Sequence, residues 1–318
     1  MCKMNIRQFR YTDLDALIHI VQVSFAEELI AQGITPENFI GQIRMATRGR
    51  MIPFKVLTAL AGIKWGMFVA EIDGNVVGFG GYLGRKHMAL ANLMVDPDYR
   101  RRGIGQALLV KRLQHLARRG YPFVTTTILA TNEASLGNVR KQNFEVFDRY
   151  SVFETSLPFQ PEMGHLVGAI TSRPIQKSDK TAFEALETQL VSPTLLQIQG
   201  PATSNYFLSF GDRMLGRLTS AQRWTRAFER DGNVIGFLSG NTSQNQAKGT
   251  LSRPLVSDEN LELLPAMLHE AASWLTQLGK TSMQIAVSDE RAQLIEGLQN
   301  SSWAKTRSWL RLFKRLDG

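Results

Sequence analysis

Cysteine is almost absent from this sequence, which has one cysteine, Cys2, among 318 residues. A single cysteine excludes an internal disulfide and a metal site built from several thiolates, and it is typical of a reducing compartment. The five histidines lie at positions 19, 87, 115, 165 and 269 and show no metal-ligand spacing. We therefore predict that the protein binds no metal.

A long uncharged apolar run is also missing. The most apolar stretch, 56–70, contains Lys64 and is shorter than the ~20 residues that a membrane helix needs. The opening segment, MCKMNIRQFRYTD, lacks the apolar part of a secretory signal. These absences predict a cytoplasmic protein that does not enter a membrane.

An acidic excess is lacking as well, because 37 Lys and Arg face 28 Asp and Glu, a net charge of +9. Residues 1–158 carry most of the imbalance, with 20 basic against 13 acidic residues. A basic surface favours an anionic partner such as nucleic acid or a polyphosphate. Three of these charges are consecutive, at Arg100–Arg102, in front of a glycine-containing turn, which favours a compact polyphosphate over a long nucleic-acid duplex.

The length suits two domains of about 150 residues each, and the sequence contains a repeat that supports this number. DGNVVGF at 73–79 returns as DGNVIGF at 231–237, and RQFRYTD at 7–13 has the layout of RPIQKSD at 173–179. Strand, capped helix and hairpin thus occur twice in the same order. We predict a duplication with domains at 1–158 and 165–318 and a linker near 159–164.

The pattern within the first copy predicts an α/β fold with a mixed sheet. Helices are expected near 13–30, 36–60, 103–118 and 133–142. Strands are expected at 5–10, 66–72, 76–83, 88–95 and 123–129, with a pair of strands filling 144–156.

One loop carries the strongest chemical signal, the run Arg100-Arg101-Arg102-Gly103-Ile104-Gly105. It follows the strand that ends at Val95 and opens an amphipathic helix, whose first backbone N–H groups lack partners within the helix. A helix start of this kind attracts phosphate, and glycine lets the backbone come close to it. The sequence therefore predicts a diphosphate site.

The pattern Val95-x-Pro97-x-x-Arg100-x-x-Gly103-x-Gly105 resembles the defining motif of the GNAT N-acetyltransferases. This resemblance implies that acetyl-CoA is the co-substrate and that an amine is acetylated. It also implies two groups of contacts with the coenzyme. The pantetheine arm and the thioester would bind Leu93, Met94 and Val95, and the pyrophosphate would bind Arg100, Arg101, Arg102, Gly103, Ile104, Gly105, Gln106 and Ala107.

A second family element follows at the expected distance, with Asn132 before a helix that ends at Asn143-Phe144. The resemblance implies that Asn132 and Ser135 also contact the coenzyme. Asn143 stands where the family often has glycine. Val139 occupies the position of a tyrosine that often protonates the departing thiolate, so the expected acid is missing.

The catalytic groups stay open at this point. The strand 87–95 contains no carboxylate, so a base at that family position is also missing. The remaining candidates each have a structural alternative, either as a solvated or paired carboxylate or as a packed aromatic. The candidate bases are Glu27, Glu28, Glu71 and Glu154, and the candidate acids are Tyr150, Tyr121 and Ser135.

The second copy lacks the diphosphate loop, because the aligned segment, 261–265, reads LELLP. We predict a degenerate GNAT-like domain that does not bind coenzyme A. Three functions remain open: an N-acetyltransferase acting on a small molecule or a protein amine, a non-catalytic acyl-CoA sensor, and a nucleic-acid-binding protein. The acceptor is not specified by the sequence, which also allows a homo-oligomer.

Overall fold

The computed structural model describes residues 4–31, 62–85, 87–161, 170–207, 221–244 and 246–316, without the side chains of 25–31, 204 and 205. The helix predicted over 36–60 lies outside the described residues. The chain forms two compact units, which are treated separately below. The first contains Met1–Val146 and Leu310–Gly318, and the second contains Phe147–Trp309.

The first unit is a mixed sheet with helices. Its strands are β1 (Met4–Gln8), β2 (Lys64–Ile72), β3 (Asn75–Gly84), β4 (Met88–Val95) and β5 (Phe123–Leu129), and its helices are α1 (Leu14–Ala31), α2 (Ile104–Ala117) and α3 (Glu133–Arg140). The strand order is β1-β2-β3-β4-β5, and β5 is followed by β13 (Ala304–Arg315) from the far end of the sequence. The pairs β1/β2, β2/β3 and β3/β4 are antiparallel, and β4/β5 is parallel.

Alternation along the strands places helices on both faces of this sheet. Phe68 and Ala70 of β2 pack in the cluster that contains the apolar side of α2, whereas Val69 between them packs with α1. A strand has a side-chain period of two, so these neighbours must face opposite sides. The predicted apolar stripe of α2 is buried, at Leu109, Leu113 and Leu116.

The second unit repeats this plan. Its strands are β6 (Glu145–Ser156), β7 (Ile170–Pro174), β8 (Ala221–Arg230), β9 (Asn233–Ser243), β10 (Lys248–Leu251), β11 (Leu255–Val256) and β12 (Ser282–Ser288). Its helices are α4 (Lys180–Leu190), α5 (Pro193–Gln199), α6 (Thr203–Tyr206), α7 (Leu264–Gln277) and α8 (Ala292–Asn300). The order is β13-β6-β12-β10-β9-β8-β7, with β11 paired to β9. The prediction of an α/β fold with a mixed sheet is therefore confirmed.

The prediction of two strands within 144–156 is wrong, because this segment is one twelve-residue strand, β6. It contains no glycine, proline or asparagine that would favour a turn. Its residues Tyr150–Ser156 pair with Ser282–Ser288 of the second unit. An uninterrupted ladder of this kind keeps the strand extended.

The predicted domains, 1–158 and 165–318, follow the repeats of the sequence, whereas the compact units follow contacts in space. The two sets of bounds differ because most of β6 belongs to the second unit and Leu310–Gly318 belongs to the first. Each unit therefore contains a strand from the other half of the sequence. The division into a catalytic and a degenerate copy stays a prediction.

The repeated RQFRYTD and RPIQKSD segments make matching contacts. Arg7 donates to both carboxylate oxygens of Asp13, at 2.7 and 2.9 Å, and to Glu71 at 2.8 Å. In the second unit Arg173 donates to both oxygens of Asp179, at 2.7 and 2.8 Å, and to Glu229 at 2.8 Å. Such detailed agreement supports duplication of one ancestral fold.

The end of β13 is expected to matter for the stability of the first unit. Leu312 is only 2% exposed and packs in the core of that unit, and the N–H of Leu316 donates to the carbonyl of Pro122. Leu312→Ala should lower the free energy of unfolding of the first unit by about 3 kcal/mol, because it leaves a cavity in the core.

Denaturant unfolding with hydrogen exchange in each unit would measure this loss. Leu83→Ala is the control, because Leu83 is exposed and should change stability by less than ~0.5 kcal/mol. Equal effects of the two substitutions would contradict a core role for β13 in the first unit.

Two features are absent from the part of the chain that the structure describes. No helix there is long and apolar enough to cross a membrane. No three His, Cys, Asp or Glu side chains in that part of the chain are grouped as a metal site requires. The expectation of no metal stays a prediction.

Candidate functional site

The first unit contains an opening between two neighbouring strands. β4 pairs with β5 from Met88 to Leu90, opposite Val124 to Thr126. Both strands continue beyond this ladder, to Val95 and Leu129. Because the pairing stops while the strands go on, the last part of β4 has an edge that β5 does not pair, and such an edge suits a ligand with amide groups.

A bulge in β4 accounts for this separation. Across β3 and β4, Gly81 pairs with Ala91 and Phe79 pairs with Met94, so Gly80 alone faces two residues, Asn92 and Leu93. Asn92 has a φ of 53°, in the left-handed region. A bulge bends its strand and increases the local twist. β4 thus leaves the direction of β5 just before the predicted thioester-binding residues.

The arginine-glycine loop joins the end of β4 to α2. Asp96 accepts a hydrogen bond from the N–H of Asp98 at 3.0 Å and so starts a short 3₁₀ turn, Pro97–Tyr99. Gly103 then precedes α2 with a φ of 77°, a conformation that favours glycine. No side chain caps α2 at this position, so its first N–H groups and partial positive charge are available to an anion.

The first and last arginines of the loop have different surroundings. Arg100 donates through Nε to the carbonyl of Val95 at 3.1 Å and lines the cavity described below. Arg102 donates to the carbonyl of Asp98 at 3.1 Å, and its guanidinium lies 5.1 Å from the ring centre of Tyr99. These contacts hold Arg102 along the loop, outside the lining of the cavity.

A cavity of about 620 Å³ connects the strand opening with the start of α2. Eleven of the thirteen predicted coenzyme-binding residues line it, and Arg102 and Ala107 do not. The eleven are Leu93, Met94, Val95, Arg100, Arg101, Gly103, Ile104, Gly105, Gln106, Asn132 and Ser135. The structure thus brings the strand, loop and α3 residues together, and their binding role stays a prediction.

Asn132 and Asn143 mark the two ends of α3. Asn132 is the N-cap, and its side-chain oxygen accepts from the N–H of Ser135 at 3.0 Å. Asn143 has a φ of 53°, which explains why asparagine is tolerated where the family often has glycine. Val139 is buried in the core, so its position contributes no group to the cavity.

Five further residues line the cavity without having been predicted: Ser24, Tyr99, Ala134, Asn138 and Lys141. Ala134 directly precedes Ser135, and Asn138 and Lys141 follow Ala134 at the helical spacings i+4 and i+7, so a helical projection would have found all three. Ser24 donates to the carbonyl of Val95 at 3.2 Å. No local pattern marks Ser24, because its place depends on the packing of α1.

Most catalytic candidates are absent from the lining of this cavity. Glu71 is bonded to Arg7, and Tyr121 lies against the core of the first unit with the Lys64 amine 5.7 Å from its ring centre. Tyr150 and Glu154 belong to the second unit, where Glu154 accepts from Lys248 at 2.7 Å.

Ser135 alone among the candidates with described side chains lines the cavity, and Glu27 and Glu28 have side chains outside the described part. None of the described residues lining the cavity is a carboxylate or a histidine. The lining therefore offers hydroxyl, amide and basic groups, and the assignment of acid and base stays a prediction.

The second unit has a different structure at the matching position. A 3₁₀ helix, Asp258–Leu263, runs directly into α7, and Leu263 and Leu264 are buried. Arg291 precedes α8 as Asn132 precedes α3, and it donates to the carbonyl of Val256 at 2.8 Å and to Asp258 at 3.0 Å. Buried Leu263 and Leu264 of the second unit thus stand where the first unit has the glycines of its loop. The Arg291 guanidinium bonds backbone and carboxylate oxygens at the position where the first unit has Asn132 beside a cavity.

Comparison with known proteins finds a family that matches part of the sequence of the first unit. The sequence profile of the Acetyltransferase (GNAT) family matches residues 45–144. An acetyltransferase of Pectobacterium atrosepticum is 38% identical over 82 residues, which cover 25% of this chain and 57% of that protein. One of Sodalis glossinidius is 39% identical over the same length and coverage. The chain thus spans little more than half the length of these curated relatives.

Two solved structures resemble the whole chain. A tandem GNAT protein from the clavulanic acid biosynthesis pathway has a TM-score of 0.63 at 13% identity, with 99% of both chains covered. A GCN5-related N-acetyltransferase from Sphaerobacter thermophilus has a TM-score of 0.68 at 15% identity, covering 99% of this chain and 96% of the other. At these identities the likeness shows the fold. The chain therefore has a tandem GNAT fold, and its residues 45–144 match the GNAT acetyltransferase family.

Proposed function

We propose that the first unit binds acetyl-CoA in the cavity between β4, the arginine-glycine loop and α3, and transfers the acetyl group to a primary amine. One observation carries the proposal. A single cavity joins an opened strand edge, which suits an amide-rich arm, to an uncapped helix start with Arg100 and Arg101, which suits a diphosphate.

The reaction requires a neutral amine, whose nitrogen attacks the thioester carbonyl carbon before the carbon–sulfur bond breaks. A lysine-like amine has a pKa of about 10.4 and is mostly protonated at neutral pH, so its proton must pass to a base or to water. The leaving thiolate has a pKa of about 8.5 by analogy with cysteine and needs only modest help. N–H groups of β4 would polarise the acetyl carbonyl.

The hydroxyl of Ser135 and the amide of Asn138 are the polar groups that α3 presents to the cavity. We propose that they contact the coenzyme, and that substrate placement supplies much of the rate. Buried Val139 and the absence of a carboxylate from the described lining also suit an acyl-CoA sensor without turnover. The sensor is therefore the second candidate function.

The second unit is proposed not to bind coenzyme A. Buried Leu263 and Leu264 keep the backbone of the matching segment away from solvent, and Glu262, which forms an ion pair with Arg230, stands at the position aligned with the diphosphate loop. Arg291 also bonds the carbonyl of Val256. One coenzyme per chain is the expected stoichiometry. A cytoplasmic location stays a prediction, and a homo-oligomer stays allowed by the sequence.

Calorimetric titration with coenzyme A tests the binding proposal. We expect one molecule per chain, with affinity that falls as salt rises because phosphate contacts are screened. Two molecules per chain would contradict the proposal for the second unit, and none would contradict the proposal for the first.

Mass spectrometry of small amines and peptides incubated with acetyl-CoA tests transfer. An acetylated product that forms faster than without protein supports the enzyme. Coenzyme A binding with no product across the panel would favour the sensor.

A further inference from the structure

A buried arginine lies in the middle of α2. Arg112 is 2% exposed and sits among Leu108, Leu109 and Leu113 of the same helix, all of them buried. Its hydrogen bonds go to carbonyl oxygens: Nε donates to Leu108 at 3.3 Å, and Nη1 donates to Gly81 at 3.0 Å and to Ala91 at 3.3 Å. Burial lowers the pKa of Arg112 to about 10. The charge is thus held in the core by backbone dipoles.

The two strand carbonyls have a particular location. Gly81 and Ala91 are partners across β3 and β4, and they are the pair that borders the bulge at Asn92 and Leu93. One nitrogen of Arg112 therefore bridges both strands at the point where the regular ladder is interrupted. A bulge disrupts the local ladder, and a donor from outside the sheet can bond carbonyls there.

Gly80, which faces the bulge, makes room for this arginine. A Cβ at Gly80 would lie 3.0 Å from both Cζ and Nε of Arg112 and 3.2 Å from Nη1. Such contacts are closer than carbon and nitrogen atoms normally pack, so a larger residue would push the guanidinium away from the strands. The absence of a side chain at Gly80 is thus needed for the contacts that Arg112 makes with the strands.

Arg112 also belongs to the helix that begins at the diphosphate loop. It lies eight residues after Ile104, the first residue of α2, which corresponds to about 12 Å along the helix axis. Its bonds to Gly81 and Ala91 connect this helix to the bulged strand. The two ends of the proposed coenzyme site are therefore joined through a single side chain in the core.

We propose that Arg112 is a positioning residue that fixes the β4 bulge against α2, and so sets the spacing between the thioester and diphosphate ends of the site. The inference rests on the proposed function. A buried charge costs free energy that an apolar side chain of similar length would not, so a stability role alone does not account for arginine at this position.

Calorimetry with two ligands separates positioning from stability. Coenzyme A spans both ends of the site, whereas ADP carries the diphosphate without the pantetheine arm. Arg112→Met should weaken coenzyme A on the order of tenfold, as expected for losing bonds from a charged donor, and should change ADP by less than about twofold. Arg112→Lys keeps one positively charged donor nitrogen and should recover part of the loss.

Leu116→Ala is the matched control, because Leu116 is a buried residue of α2 that is absent from the cavity lining. It should destabilise the fold and leave the ratio of the two affinities unchanged. The proposal is overturned if Arg112→Met and Leu116→Ala change coenzyme A binding alike, or if ADP binding falls as much as coenzyme A binding.

A double-mutant cycle with Gly80 gives an independent test. Gly80→Ala should weaken coenzyme A when Arg112 is present and have a much smaller effect in Arg112→Met, because the added methyl then meets no guanidinium. Additive effects of the two substitutions on coenzyme A affinity would contradict this coupling between Gly80 and Arg112.

Hydrogen exchange without any ligand tests the positioning role of Arg112 independently of the proposed function. Amides of residues 91–95 should exchange faster in Arg112→Met than in Leu116→Ala at matched stability. If the wild-type protein binds no coenzyme A, the proposed function fails, and this comparison alone decides whether Arg112 holds the bulge. Equal exchange in the two variants would overturn that role.

Discussion

Gly103→Glu is expected to weaken coenzyme A binding by at least about 100-fold, equivalent to about 3 kcal/mol. Two effects act together. Gly103 has a φ of 77°, which side chains adopt at a cost, and the new carboxylate would lie at the uncapped start of α2, where the diphosphate is proposed to bind. The measurement is calorimetric titration of the purified variant with coenzyme A.

Gly120→Glu is a closely matched control for this substitution. Gly120 is exposed, follows the C-terminal end of α2 and has a φ of 75°, and nothing lies within 4 Å of a Cβ added there. It therefore adds the same charge and a similar backbone cost at a residue absent from the cavity lining. Unchanged binding is expected for Gly120→Glu, and binding that survives Gly103→Glu would rule out the site assignment.

Arg173→Met should destabilise the second unit by about 3 kcal/mol at neutral pH, because it leaves a buried carboxylate without its main partner. Asp179 is 5% exposed, and Arg173 bonds both of its oxygens as well as Glu229. Denaturant unfolding with hydrogen exchange in residues 147–309 would measure the loss. Lys180→Met, which breaks an exposed pair with Glu184, should cost less than ~0.5 kcal/mol.

The effect of Arg173→Met should also depend on pH. Hydrogen bonds from Arg173 lower the pKa of Asp179 below its ordinary value of 3.8, against the effect of burial. A lowered pKa stabilises the fold above pH 3.8 and loses this effect as pH falls through the lowered value. Without Arg173, the largest cause of the lowered pKa of Asp179 is gone, and the variant loses the stabilisation that Arg173 supplies at neutral pH. The gap between wild type and variant should therefore be largest near about pH 7 and should shrink as the pH falls below 3.8. A gap independent of pH would contradict this account.

Much of the candidate site could be predicted from the sequence because its signals are local. The arginine-glycine loop needs a glycine at positive φ, a helix start and a preceding strand. Residues close to Gly103 in the sequence predict all three. The apolar stripe of α2 follows from helical spacing alone, as Leu109 and Leu113 show.

Features that depend on distant residues could not be predicted in this way. Whether β6 is one strand or two depends on its pairing with β12, more than 120 residues later in the chain. Arg112 looks like an ordinary exposed helix residue until Gly80 and the bulge are placed beside it in space. Val139 was identified as a departure from the family pattern, yet only the packing of α3 shows that it belongs to the core.

The exchange of strands between the two halves has a consequence for synthesis on the ribosome. The first unit needs Leu310–Leu316, which emerge more than 160 residues after Val146. Its sheet therefore stays incomplete, with the outer edge of β5 unpaired, while the whole second half is being translated. This delay slows completion of the sheet, and it leaves the unpaired edge of β5 exposed to other chains. The first unit carries the proposed active site. Its folding therefore cannot finish until the second half of the sequence has been translated.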